Sequence, residues 1–205
     1  MGKKSETLAM RQLILASLFI VLFVTFHFLS AKIGGGLSNF SPFVAFFFCG
    51  AAFFHRSKLL LPAVLVSWVI AAPITSIYNG YTPTLAGVMV PLFTFALIAL
   101  IGLGLQKAAP WKLLLASVGS GVLFHIITNL WCFFTDPLYT KDFTGLAQAL
   151  WTLPPHPGAL QPTAFFLRNT CTSTLLFTAL FIAAAYLPYL RPLKQGTVAT
   201  QQVHN

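Results

Sequence analysis

The chain has 205 residues, of which 57% are hydrophobic and only 7% charged; a soluble domain carries ~25% charged residues, so these cannot cover a water-facing surface. The formal charge is +9, but the twelve Lys and Arg fall between apolar runs rather than in one basic patch, which argues for topology signals and against nucleic acid as a partner. Alternating ~10-residue strands are absent, so a β-barrel gives way to an all-α polytopic transmembrane bundle whose ~20-residue spans bond their own backbone amides within membrane lipid.

A short N-terminal tail, residues 1–11, carries Lys3, Lys4 and Arg11 ahead of the first apolar run. Together the runs predict about six spans, near residues 12–29, 40–54, 59–72, 84–105, 113–134 and 164–187, as one transmembrane domain over 12–187. The second is short for a crossing and ends at the basic group His55, Arg56 and Lys58; the third stops at Pro73 and the fourth before Lys107. A basic head with Ser30 and Ala31 behind the first run also suits a signal peptide. That run exceeds the usual ~7–15-residue core, however, and Phe28 is a poor residue at the cleavage position.

Residues 135–163 form the longest connection. Phe143 to Trp151 reads as a short amphipathic helix at the membrane surface, followed by a stretch that Pro154, Pro155, Pro157 and Pro162 hold extended. A polar tail, 188–205, closes the chain. With both termini cytoplasmic, nine of the twelve basic residues lie inside, leaving Lys32, Lys141 and Arg168 outside. This positive-inside bias predicts a multi-pass protein of an inner (plasma) membrane with the long loop outside.

Groups for catalysis within the membrane are scarce. The only Glu is Glu6, and both Asp residues, Asp136 and Asp142, fall in the outer loop. A Gly-x-Ser-Gly turn is missing, since Val118 precedes Gly119-Ser120-Gly121. The expectation is a protein that is not an enzyme and carries no cofactor. His125, Asn129, Cys132 and Asp136 recur at helical spacing and share one face of the fifth run. They read either as a hydrogen-bonded seam between helices or as the wall of a cavity open to the outside. One His and one Cys without a second cluster do not make a metal site.

The sixth run opens with Arg168, Asn169, Thr170, Cys171, Thr172, Ser173 and Thr174. Arg168 either snorkels to the interface or binds a carboxylate or phosphate with its planar fork. His27 and Ser30, Asn39 to Ser41, and Tyr78, Asn79 and Tyr81 cluster at the outer ends of other runs. With Tyr139 and Trp151 in the loop, they sketch a cup for a small molecule. The expected substrate-binding residues are His125, Asn129, Asp136, Arg168, Asn169, Asn39, Tyr78, Asn79, Tyr139 and Trp151, with Arg168 facing an anionic group.

Asn39-Phe40-Ser41-Pro42, followed by Ala45, Phe48, Gly50, Ala51 and Phe54, resembles the N-F-S-P signature of a family of small, uncharacterised six-span bacterial membrane proteins. Gly119-Ser120, Leu123-Phe124 and Thr128-Asn129 resemble a second pattern of that family, and Cys49 stands where the signature has Gly. In size and layout the family is similar to the S components of energy-coupling-factor (ECF) vitamin transporters. This resemblance implies capture of a vitamin-like small-molecule substrate for uptake, with a transmembrane coupling subunit and its ATPases as partners. The small residues that S components use for docking are reduced here to Ala9, Ala16 and Ser17. The alternative is an accessory or assembly subunit of a membrane complex.

Overall fold

The computed structural model describes residues 17, 20, 21, 23–30, 32, 33, 37–54, 60–156 and 159–190. The expected tail 1–11, the beginning of the first apolar run, the basic group at 55–58 and the C-terminal tail from 191 lie outside the described residues. The protein is all-α. Its helices are α1 (residues 23–30), α2 (Phe43–Phe54), α3 (Leu60–Tyr78), α4 (Leu85–Gly104), α5 (Pro110–Thr135), α6 (Phe143–Leu150) and α7 (Thr163–Leu190).

Six spans are not what the chain forms. Among the described residues three helices are long and apolar enough to cross a membrane: α4, α5 and α7 over Thr163–Ala185. The physical reason is clearest at α2, whose 12 residues extend ~18 Å against a hydrocarbon core of ~30 Å. Its side chains from Phe43 to Ala52 are buried throughout, as expected of a helix that is apolar on every side and sits inside a bundle. In α3 the described apolar stretch is Pro62–Tyr78, with Pro73 inside it. The six-span bundle and the S-component identity drawn from it are therefore both corrected: the chain is a membrane-associated helical protein with three long apolar helices among its described residues.

α2 is the hub, packed against α3, α4, α5 and α7. Lipid is as apolar as its phenylalanines, so close packing rather than transfer out of water holds it there. The α4 face is smooth at Gly102, where a Cβ would run into the Phe48 carbonyl. Phe95 of α4 stacks between Phe47 and Phe124, with ring centroids 4.5 and 5.2 Å away, and meets Trp68 edge-on at 5.1 Å. Cys49 is buried, and its thiol donates to Thr178 Oγ1 of α7 at 3.7 Å.

Helix ends follow local chemistry. Thr84 caps α4 by accepting the Gly87 N–H at 3.1 Å. Pro110 opens α5, where its missing N–H costs nothing. The short turn 105–109 makes α4 and α5 antiparallel neighbours. The α3–α4 turn, the α5 C-terminus, α6 and the α7 N-terminus therefore gather at one end, called here the cap end. Gly80 and Asn39 adopt positive φ, +78° and +61°, in the two turns at that end.

Candidate functional site

Hydroxyl groups inside apolar helices have first claim on their own backbone. Ser67, Ser76, Thr94, Ser120, Thr128 and Thr174 each donate to the carbonyl four residues earlier. The polar opening of the sixth run is consumed largely this way: Thr172 donates to the Arg168 carbonyl, and Ser173 and Thr174 to that of Thr170. Such groups are satisfied without any ligand.

The stripe on α5 splits into two structures. His125 is buried; its Nε2–H donates to the Leu150 carbonyl at 3.0 Å, and Nδ1 accepts from Asn129 Nδ2 at 3.2 Å. Asn129 Nδ2 also donates to the His125 carbonyl at 2.8 Å. These bonds fasten the end of α6 to α5, using both ring nitrogens. Asp136 caps the C-terminus of α5: Oδ1 accepts the Leu138 N–H at 2.9 Å, and Oδ2 lies 3.2 Å from His156 Nε2.

The rest of the cap is built around these two points. Lys141 Nζ donates to the Phe133 and Asp136 carbonyls, a cation at the negative end of α5. Tyr139 is buried against Phe133, Ala149 and Leu146. Burial first, then the neighbouring Cys132 and Asp136 charges, pushes its phenol up to about 12. Asp142 caps α6 by accepting the Gly145 N–H, and that bond with the Thr140 hydroxyl holds its carboxyl below the ordinary value of 3.8. Trp151 ends α6 with its side chain exposed.

A separate cavity of ≈ 290 Å³ opens at the cap end between α1, the 37–41 turn, α3 and the start of α4. Among the described residues its lining includes His27, Ser30, Asn39, Trp68, Thr75, Ser76, Asn79 and Tyr81, and no Asp, Glu, Lys or Arg. Trp68 forms its apolar wall, held edge-on to His27 and Phe43 at 5.5 and 5.2 Å and pinned by donation from its indole N–H to the Val88 carbonyl at 3.2 Å. Thr75 Oγ1 is buried with no hydrogen-bond partner, unlike its neighbour Ser76.

Asn39 and Asn79 thus meet at the cavity. Asn169 stands directly behind it, donating from Nδ2 to the Ser38 carbonyl at 2.8 Å. Arg168 stands behind Asn169: Nε and Nη2 lie 3.4 and 3.3 Å from Asn169 Oδ1, and the exposed guanidinium stacks on Phe165 at 3.8 Å. Tyr78 turns to Phe28, ring to ring at 4.9 Å. His125, Asn129, Asp136, Tyr139 and Trp151 belong to the α5–α6 seam and the cap instead. Trp68, in the apolar third run, and Thr75 and Ser76, just beyond it, carry no sequence signal that would single them out as cavity residues.

Among the described residues no three His, Cys, Asp or Glu side chains group to hold a metal ion. No curated protein matches the chain, and no solved structure does. One family model matches residues 7–195, nearly the whole length, and the chain belongs to that family, a family of unknown function (DUF6580).

Proposed function

We propose that this membrane protein binds a small, vitamin-like molecule in the cavity at the cap end, as the capture step of uptake, and that it works by binding rather than by catalysis. The observation that carries the reading is a cavity lined by polar side chains within an apolar bundle, beside which the Thr75 hydroxyl is buried without a partner among the described residues. An unmet buried hydroxyl costs ~1–3 kcal/mol, a cost that a bound molecule would offset. Apolar walls with a few convergent polar groups are the usual make-up of small-molecule sites.

Lys107 and Lys112 flank the α4–α5 turn at the opposite end. The positive-inside rule favours that end as cytoplasmic in a bacterial inner membrane, with the cavity facing outward. These 205 residues contain no Gly-rich phosphate-binding loop, so an ATP-driven step would fall to a separate subunit.

The test is native mass spectrometry of the chain purified in mild detergent. Wild-type protein should retain a small-molecule mass, and Ser76→Leu, which fills the cavity, should lack it. A wild type with no bound mass, or the same mass on both proteins, would overturn the proposal.

A further inference from the structure

The hydrogen-bonding polarity of the cavity narrows what it accepts; this inference rests on the binding reading above. Ser41 Oγ accepts the Phe43 N–H at 3.5 Å and lies 3.4 Å from His27 Nδ1. In the tautomer that accepts the Ser41 proton at Nδ1, the imidazole carries its own proton on Nε2, which has no partner among the described residues. In that tautomer His27, which lines the cavity, offers it an N–H donor from α1.

The rest of the lining mixes acceptors with groups of both kinds: the Asn39 and Asn79 amides and the Tyr81 hydroxyl each offer a donor and an acceptor. Ser30 has given its proton to the His27 carbonyl at 2.9 Å and Ser76 its proton to the Ala72 carbonyl at 3.0 Å, so each offers only lone pairs. Thr75 Oγ1 retains both capacities. The Trp68 indole N–H is occupied by Val88, so its ring presents an apolar face. With no charged side chain among the described lining residues, a carboxylate or an ammonium entering here would lose water without gaining an ionic partner from them. The volume of ≈ 290 Å³ lies at the small end of ligand cavities, which run ~300–1,000 Å³.

We infer that the cavity selects an uncharged, ring-sized molecule bearing a carboxamide. Its C=O accepts from His27 Nε2, its N–H groups donate to the Ser30 and Ser76 oxygens, and its ring lies along Trp68. A carboxamide satisfies both polarities from adjacent atoms, whereas a carboxylate would set a second acceptor against the serine lone pairs.

Benzamide, benzoate and benzylammonium share one ring and differ in charge, so titrating each into the full chain in nanodiscs, read by calorimetry, tests the inference. Benzamide should bind saturably, at least tenfold more tightly than either ion. His27→Phe should erase that preference, while His27→Gln, which restores a donor, should keep part of it. Equal or tighter binding of either ion would overturn the inference. Absence of binding by all three would overturn it too, and the cavity reading would still stand if wild type retained a co-purified mass that Ser76→Leu lacked. Loss of that mass as well would sink both.

Discussion

Asn169 and Ser38, 131 positions apart in the chain, are joined by a 2.8 Å hydrogen bond from the Asn169 amide nitrogen to the Ser38 carbonyl. This bond ties the start of α7 to the turn that forms the cavity rim. Asn169→Leu leaves the Ser38 carbonyl without that donor, a loss of ~1–3 kcal/mol. Thermal unfolding in detergent should show a melting temperature several degrees lower. Arg168→Ala leaves the bond intact and removes an exposed charge, so its effect should be well below that of Asn169→Leu. Equal effects of the two variants would mean that the rim is not held by this bond.

The cap on α6 should be acid-labile through Asp142. Its carboxyl titrates lower in the folded protein than in the unfolded chain because the Gly145 N–H and Thr140 hydroxyl favour its charged form. The stabilisation is therefore full above the ordinary carboxylate value and is lost as pH falls through the lowered folded value. Amide exchange of residues 143–146 should accelerate in that acid range. In Asp142→Asn, which keeps an accepting oxygen, this acid dependence should disappear; a pH response identical to wild type would assign it to another group.

Orientation is open to chemical labelling. In a variant lacking Cys49, Cys132 and Cys171, a single cysteine at Leu160, which is 91% exposed at the cap end, should react with a membrane-impermeant maleimide in intact cells. A cysteine at Lys107 should react only after permeabilisation. The reverse pattern would turn the protein over and place the cavity on the cytoplasmic side.

Length and polarity were legible in the chain; burial was not. The runs 84–105 and 113–134 correspond closely to α4 and α5, and Phe143 to Trp151 to α6 with its cap residue. The run containing Phe43 to Phe54 looks the same in composition whether lipid or protein surrounds it. Only its 12-residue extent and the packing of α3, α4, α5 and α7 around it identify a core helix. Helical spacing puts His125 and Asn129 on one face of α5, where they bond to each other, whereas Asp136 falls on the C-cap; spacing cannot say whether such a face meets a ligand or a neighbouring carbonyl. The Leu150 carbonyl that engages His125 lies 25 positions away, at the end of another helix. Thr75 escaped notice for a similar reason: what distinguishes it from Ser76 is the absence of a backbone bond, and sequence does not show that.

The most direct measurement compares bound mass and unliganded stability in wild type, Thr75→Val and His125→Ala. Replacing the unpartnered Thr75 hydroxyl by a methyl should leave the unliganded protein as stable as wild type or up to ~1–3 kcal/mol more so, while abolishing the co-purified small molecule. His125→Ala should destabilise the α5–α6 seam and retain the small molecule. A bound mass that survives Thr75→Val and is lost from a folded His125→Ala would contradict the account and move the site from the cavity to the α5 face.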